Sequence, residues 1–594
     1  MYARLKSGVT VEQAQQRIDA LNKANLDRFP KYRQLLEDAR FGTKVVGLQD
    51  LIIRDVRPTL YLLQAAVVFV LLIGCVNVAN LMLVRSNIRM KEMAIRFSLG
   101  AGRWRLARQL LTESVTIAAL GGLLGLGVGS AGLSLLMYLG AKDLPRGENI
   151  QMDGAVLAYS AALAVLTGLV FGSVPVFHLY RRDLNEVFRQ TGRTGTTERG
   201  ALWTRSALVV CQVSLAFVLL IGSALLTLSF ARLLSVDPGF KPQNVLSAQF
   251  TLPDVRYKED ARARNFVTTL LESVRALPGV TSAGATTYLP FSGDNNSSVV
   301  MIDGYNPGPG ELPPVPGYNT VDSQYFQAMG IPLLQGRTFS ESDSADSQKV
   351  MLIDQFLARK YWPKGNAIGA RIRRGIENDQ PLCTIIGVVG SVKTGNLAEK
   401  NPVGHVYFHY KQFVPRRMHL VVRTNGENPQ LTSTIRRQVL QADPEMPLFD
   451  IKTMPERVSA SVVSRRAAMI LCLVFGALAL VLSAIGIYGV LAYTVTQRTR
   501  ELGIRVALGA GAGDVIGMVL GQGLKLAGVG LAIGIAGALA LTRLMTTLLY
   551  DVKPTDPVVF VSVAAALAAV ALIASLIPSL RAVRIRPAIA LRYE

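Results

Sequence analysis

Charged residues are scarce in this chain of 594 residues: they make up 18% of it, whereas 50% of the residues are apolar. The mean hydropathy is +0.33, a balance that a water-soluble protein of this length rarely shows. The composition therefore excludes an ordinary soluble domain and indicates an integral membrane protein.

Cysteine and histidine are also rare, with four residues of each type. Cys75, Cys211 and Cys472 fall within long apolar runs, which leaves Cys383 alone in a more polar region, so no disulfide framework is expected. His405 and His409 would share one face of a strand, but no cysteine or acidic cluster completes a ligand set around them. We therefore expect no metal site.

Motifs for catalysis and nucleotide binding are missing as well. The sequence has no G-x-x-x-x-G-K-[ST] phosphate loop, so the chain offers no cradle for ATP. It also has no G-x-S-x-G elbow, no H-E-x-x-H motif and no paired-cysteine zinc site. We expect no catalytic residue and no cofactor bound by this chain; any ATP would be used by a partner subunit.

Long apolar runs are what the sequence does contain. Seven are long enough to cross the roughly 30 Å hydrocarbon core as helices, near residues 59–84, 113–138, 155–177, 205–228, 467–495, 514–546 and 557–580. The net charge of +22 is concentrated beside these runs, at 85–111, 178–205 and in the C-terminal tail, which argues against a nucleic-acid surface. By the positive-inside rule these basic segments and the C-terminus are cytoplasmic, and the region 229–466 lies outside.

A basic stretch follows an apolar run twice, as RMKEMAIRFSLGAG at residues 89–102 and as RTRELGIRVALGAG at 498–511. Charged and apolar residues alternate closely in both, which predicts a short amphipathic helix on the inner membrane face that a glycine ends. A glutamate and an arginine four positions apart can pair with each other or face a partner. The plain alternative is a topological anchor. The residues that carry this pattern, and that would face such a partner, are Glu92, Arg96, Gly100, Arg500, Glu501, Arg505 and Gly509.

Polar and small residues within the apolar runs predict helix packing. Asn77 and Asn80 lie three positions apart on one helix face, where interhelical hydrogen bonds are the favoured role and a substrate-lining site is the rival. Pro175 and Pro578 each remove a backbone donor near the inner end of a run, which predicts a kink or a helix end and leaves a gating hinge as the alternative. Close helix approach is predicted at Gly121, Gly125, Gly530 and Gly534.

The repeat extends through whole units, since each copy reads as span, basic segment, span, external turn, span and basic exit. The second copy is preceded by a further span and a large external region, so we expect the first copy to be N-terminally truncated. The predicted segments are a remnant of a first external core domain (1–57), a first three-span unit (58–180), a cytoplasmic linker (181–204), a leading span (205–228), an external core domain (229–466) and a second three-span unit (467–594).

The external region alternates plausible strands such as TIIGVVGSV with helices such as ARNFVTTLLESVRAL. The expected fold is therefore an α-helical integral membrane protein of about seven transmembrane helices in two parallel repeats, with an α+β, two-lobed external domain.

The chain resembles the MacB/FtsX-like permeases of ATP-binding cassette (ABC) systems, in the branch with two fused permease units. The likeness is carried by RTRELGIRVALGA and the C-terminal RAVRIRPAIALRYE, and in the external region by LPGVTSAGATTYLPFSG, YFQAMGIPLLQGRTFSESD and IGVVGSVKTGNLAEKNP. The resemblance implies that the basic stretches are coupling helices that dock on a separate, dimeric ABC-type ATPase. It also implies a bacterial inner membrane location, contact with membrane lipid, and a periplasmic adaptor or outer-membrane channel as further partners.

On this reading the chain is a non-enzymatic permease subunit. It would transmit ATP-driven motion to periplasmic domains, for export or extraction of a macrolide, lipoprotein, peptide or lipid-like substrate. Two alternatives remain open at this point: an envelope scaffold that activates a periplasmic hydrolase, and an ion-coupled secondary transporter.

Overall fold

The computed structural model describes residues 3–38, 40–54, 56–99, 101–138, 150–181, 197–305, 311–377, 379–399, 403–426, 428 and 430–583. The chain divides into two compact units. An external unit comprises Met1–Ile52 and Leu234–Val462, and a membrane unit comprises Ile53–Leu233 and Val463–Glu594.

Helices dominate the membrane unit and alternate with strands in the external unit. In chain order they are α1 (Val11–Arg28), α2 (Arg33–Asp38), α3 (Leu48–Ile53), α4 (Arg57–Ser98), α5 (Arg103–Tyr138), α6 (Gly154–Arg181), α7 (Thr197–Leu234), α8 (Asp260–Arg275), α9 (Tyr325–Met329), α10 (Gln355–Tyr361), α11 (Leu431–Ala442), α12 (Met454–Ser461), α13 (Val463–Gln497), α14 (Thr499–Ala507), α15 (Ala512–Leu541) and α16 (Pro557–Val583). A 3₁₀ turn, Thr542–Met545, follows α15.

The membrane unit matches the apolar runs of the sequence. In the described residues, six helical segments are long and apolar enough to cross a membrane: Arg57–Met82, Trp104–Tyr138, Trp203–Leu234, Val463–Gln497, Ala512–Met545 and Pro557–Val583. In α6 the apolar segment among the described residues is Gly154–Val170, which is shorter than these six segments. The core of this unit lies among α7, α13, α15 and α16, where Val213, Phe217 and Ala479 are fully buried.

The external unit is built on one mixed sheet. Its strands are β1 (Val245–Thr251), β2 (Val280–Thr286), β3 (Val300–Ile302), β4 (Gly317–Val321), β5 (Leu333–Gly336), β6 (Val350–Asp354), β7 (Arg371–Arg374), β8 (Leu382–Val389), β9 (His405–His409), β10 (Arg417–Thr424) and β11 (Phe449–Thr453). They are ordered β11-β1-β10-β2-β4-β9-β6-β8-β7-β3, and β5 pairs with β8.

Two hydrophobic cores divide this sheet into two lobes. The first core lies under α8 and α11 on strands β1, β2 and β10, where Phe250, Leu270 and Ile435 are buried. The second is formed around β6, β8 and β9 and includes Ile353, Ile385 and Phe408. Strands β2 and β4 join the lobes through a single residue pair, Thr286 with Val321. The predicted fold class, a helical membrane protein with a two-lobed α+β domain, is thereby confirmed.

Candidate coupling segments and helix-packing sites

The second basic stretch folds as the short helix α14. Gly509 follows it with a φ of +97°, the left-handed conformation that glycine adopts without steric cost. The amide of Gly509 donates to the carbonyl of Val506 at 3.1 Å, and the amide of Ala510 donates to the carbonyl of Arg505 at 3.0 Å. This pair of bonds is the Schellman arrangement. Gly509 therefore ends α14, as the sequence pattern predicts.

A charged pair lies on the surface of α14. The Arg505 guanidinium contacts the Glu501 carboxylate at 2.6 Å, and each side chain is nearly half exposed. The other guanidinium nitrogen of Arg505 reaches Met518 Sδ in α15 at 3.8 Å. Arg505 therefore links α14 to the first turns of the next span.

The first basic stretch repeats this arrangement at the same relative positions. Arg96 contacts the Glu92 carboxylate at 2.6 Å and donates to Gln109 Oε1 in α5 at 3.0 Å. The amide of Ala101 donates to the carbonyl of Arg96 at 3.0 Å, as Ala510 does to Arg505. In both copies, therefore, the arginine contacts the glutamate four positions before it and also a residue of the following span.

The two stretches differ in how they join the preceding span. The expectation of a separate short helix describes α14 but not the first copy, because α4 continues without interruption from Arg57 to Ser98. In the second copy the hydroxyls of Thr496 and Thr499 donate to backbone carbonyls of the preceding turn. Such bonds compete with the helical ladder and bend helices; Asn87 and Met90 stand at the corresponding positions of the first copy.

Both stretches present an apolar residue at their tip. Leu99 and Leu508 occupy corresponding positions, and each is 82% exposed. Leu502, in contrast, is 3% exposed and packs with Val495, Val515 and Val519. The second stretch is therefore anchored to the bundle on one side and offers an apolar and charged surface on the other.

Some predicted residues fall beyond what is described. Gly100, together with the side chains of Pro175 and Arg500, lies outside the described residues. Pro578 is buried within α16, and the helix continues to Val583, so this proline does not end it.

The two asparagines of α4 have different surroundings. The amide nitrogen of Asn77 donates to the carbonyl of Leu482 in α13 at 2.9 Å, which is an interhelical hydrogen bond of the expected kind. Asn80 is 6% exposed, and its Oδ1 has no hydrogen-bond partner. Both line a cavity between α4 and α13 that also borders Gly486 and Gly489.

The glycine pairs also differ between the copies. A Cβ atom on Gly530 would lie 2.7 Å from Val213, and one on Gly534 would lie 3.0 Å from Phe217, both in α7. Within the described part of the chain, no heavy atom lies within 4 Å of the corresponding point on Gly121 or Gly125. The close approach predicted for both pairs is thus formed at Gly530 and Gly534, and the described residues form none at Gly121 and Gly125.

Polar residues of α7 make contacts that the sequence analysis did not assign. Ser214 Oγ donates to the carbonyl of Gly530 at 2.8 Å, and Ser223 Oγ donates to the carbonyl of Cys472 at 2.6 Å. Arg205, 2% exposed, stacks over the Tyr493 ring at 3.9 Å. The sequence offers a signal for these contacts, because the two serines interrupt an apolar run and the arginine lies at the end of a span.

The histidines of the external unit serve packing. His405 stacks on Tyr407, and His409 stacks on Phe339 with ring centroids 5.0 Å apart. Burial lowers the pKa of His405 and His409 below the usual value, and it lowers the pKa of His419 to about 4. No group of three potential metal ligands occurs in the residues that the structure describes.

Comparison with known proteins defines the class of the chain. The model of the FtsX-like permease C-terminal family matches residues 65–184 and 473–587, which are the two copies of the internal repeat. The model of the MacB-like periplasmic core domain matches residues 206–438. The molecule is thus a multi-pass membrane permease with a domain of the periplasmic core type. It belongs to the MacB/FtsX-like permeases of ABC transporters.

Individual relatives match only parts of the chain. The macrolide export ATP-binding/permease protein MacB of Chromobacterium violaceum is 26% identical over 286 residues, which are 46% of this chain and 43% of the relative. An uncharacterized ABC transporter permease, YvrN of Bacillus subtilis, is 25% identical over 46% of this chain and 69% of its own length. The chain spans less than half the length of the first curated relatives it matches.

Comparison with solved structures gives matches over part of the chain. The periplasmic region of MacB from Actinobacillus actinomycetemcomitans matches 38% of this chain and 95% of its own length, with 16% identity and a TM-score of 0.26.

Proposed function

We propose that this chain is the permease subunit of an ABC system in the bacterial inner membrane, with its C-terminus in the cytoplasm. A separate ATPase would bind the two basic stretches and move them during its cycle. The long helices would carry this movement to the periplasmic domain, where work is done on a macrolide, lipoprotein, peptide or lipid-like substrate.

The proposal rests mainly on the duplicated contact between a glutamate, an arginine and the next helix. Topological anchoring requires only positive charge on one side of the membrane. It gives no reason to keep Glu92 with Arg96 and Glu501 with Arg505 at 2.6 Å, nor an exposed leucine after each pair. A docking surface for a partner uses all three features.

A charge exchange separates docking from helix stability. The double variant Glu501→Arg/Arg505→Glu keeps an ion pair within α14 but reverses the pattern that a partner meets. An i,i+4 pair contributes only about 0.2–0.5 kcal/mol to a helix, so we expect normal membrane insertion. Recovery of the ATPase with the tagged full chain should fall at least tenfold.

The matched control is the double variant Arg232→Glu/Asp551→Arg, which exchanges charges at the opposite ends of the spans and should leave ATPase recovery unchanged. If the Glu501/Arg505 exchange also left ATPase recovery unchanged, α14 would be an anchor only, and the coupling role would be rejected.

A further inference from the structure

Three helices of the membrane unit meet at one backbone carbonyl. The amide nitrogen of Asn77 in α4 donates to the carbonyl of Leu482 at 2.9 Å, and the amide nitrogen of Gln212 in α7 donates to the same oxygen. Leu482 lies in the interior of α13. We call Asn77, Gln212 and the Leu482 carbonyl the amide cluster; through it, one turn of α13 is bonded to two other spans.

A glycine gives both side chains access to this carbonyl. Gly486 lies one turn after Leu482 in α13. A Cβ atom on Gly486 would overlap Gln212 Oε1 and would lie 2.8 Å from Asn77 Oδ1. Any larger residue would therefore displace both amide groups, so the glycine is part of the arrangement.

The two amides are buried without a full set of hydrogen bonds. Asn77 is 6% exposed, and Gln212 is fully buried. Among the residues that the structure describes, Gln212 Oε1 has no hydrogen-bond partner. Burial of an amide oxygen without a partner costs free energy, and an apolar side chain would avoid this cost. In coiled coils, a buried asparagine fixes the register of neighbouring helices at a similar cost.

The register that the amide cluster sets follows from the internal repeat. Asn77 and Gly486 lie the same number of residues before their basic stretches, so they are equivalent positions of the two copies. Because Asn77 packs on Gly486, α4 and α13 run side by side with equivalent residues at the same level. The two basic stretches therefore begin at the same distance from this contact along the chain.

The next pair of equivalent residues forms no such contact. Asn80 and Gly489 follow three positions later on the same two helices, and both line a cavity of about 460 Å³. The described residues place no heavy atom within 4 Å of a Cβ on Gly489, and they offer Asn80 Oδ1 no hydrogen-bond partner. The register is therefore held at the level of Asn77, and open space lies one turn further along both helices.

We propose that Asn77 and Gln212 are positioning residues that hold α4 and α13 in this register, so that both basic stretches stand at the same depth. The inference rests on the proposed function in one respect, since equal depth allows a dimeric ATPase to contact both stretches together. Without the amide cluster, α4 slides along α13 towards the open level of Gly489, by up to one helical turn of about 5.4 Å.

The test measures the axial register in the full chain after replacement of its four natural cysteines. Spin labels are placed at Leu99, at the basic end of α4, and at Val474, near the start of α13; both positions are exposed. They lie at opposite ends of the two helices, so a slide changes their distance. In lipid nanodiscs, the distance distribution from electron paramagnetic resonance should have one maximum. In Asn77→Leu/Gln212→Leu it should shift or split by about 3–5 Å, while the thermal unfolding temperature changes by less than about 3 °C.

Matched controls lie one turn along each helix. Asn80→Leu removes an equally buried asparagine and leaves the amide cluster intact, and Gly489→Ala adds a Cβ that meets no described atom. Both variants should keep the parent distance. Gly486→Ala should reproduce the shift, because it displaces both amide groups without removing either. If the double leucine variant does not fold, Gly486→Ala with its control Gly489→Ala decides the question.

A second measurement connects the register to coupling. With single cysteines at Leu99 and Leu508, the ratio of the two crosslink yields to the ATPase should change at least threefold in the double leucine variant, while recovery of the ATPase stays within twofold. If no form of the chain recovers an ATPase, the proposed function fails, whereas the distance measurement still decides whether the amide cluster sets the register.

Two results would overturn the proposal. The first is an unchanged distance in both Asn77→Leu/Gln212→Leu and Gly486→Ala, because the amides would then only stabilise the bundle. The second is an equal shift in Asn80→Leu or Gly489→Ala, because the register would then not depend on the amide cluster.

Discussion

At the scale of single residues, each permease copy has a close contact between a glycine and a serine on its last two spans. The helix that carries the glycine differs between the copies. In the first copy, Gly172 of α6 faces Ser114 of α5, and an added Cβ would lie 2.9 Å from the serine Cβ. In the second copy, the glycine is Gly523 of α15, and the serine is Ser575 of α16. Each helix pair has room for one side chain at this crossing, whichever helix supplies it.

This exchange predicts a compensating pair of mutations. Gly523→Ser should place two serines in space for one and destabilise the bundle by about 1–3 kcal/mol, the usual cost of overpacking. Adding Ser575→Gly would recreate the arrangement of the first copy and should restore most of the loss.

A double-mutant cycle of thermal unfolding in detergent measures the coupling between these two positions. Additive effects of Gly523→Ser and Ser575→Gly would show that the residues do not share one space.

At the scale of elements, α7 is the helix that distinguishes the second copy. It covers Gly530 and Gly534 with Val213 and Phe217, and it donates a hydroxyl hydrogen bond from Ser214 to the Gly530 carbonyl. Glycine permits this approach because a larger residue would separate the helices.

Substitutions on corresponding glycines should therefore differ in effect. Gly530→Leu should force α7 away from α15 and lower the thermal unfolding temperature of the purified full chain by several degrees. Gly121→Leu should have little effect on the same measurement, because no described side chain meets that position. Equal losses for the two variants would mean that a further segment packs on Gly121 as α7 packs on Gly530.

Part of this architecture follows from sequence pattern alone. Apolar length identifies spans such as α13 and α16, because hydrocarbon thickness sets their length. A glycine after a helical pattern locates the end of α14, because only glycine readily adopts the φ of Gly509. The interruption between α13 and α14 lies where the hydroxyls of Thr496 and Thr499 bond to backbone carbonyls, and hydropathy does not register such bonds. The partner of Ser214 likewise depends on which helices become neighbours.

At the scale of the whole molecule, the chain joins two similar permease units to an external α+β domain. The external domain is inserted between α7 and α13, and the basic stretches follow α13 and occupy the end of α4. Each stretch is therefore covalently continuous with a long span, and the second of these spans begins directly after the external domain. This connectivity allows a displacement at either basic stretch to be carried along a helix.

The most direct test of the account is crosslinking at the tips of the two basic stretches. In a chain whose four natural cysteines are replaced, single cysteines at Leu99 and Leu508 should crosslink to the co-purified ATPase, and a cysteine at the similarly exposed Leu544 should not. The first two cysteines should also resist a membrane-impermeant thiol reagent added outside the cell. Labelling of either tip from outside, or crosslinking at Leu544 alone, would contradict the proposal that both tips receive the motion of the ATPase.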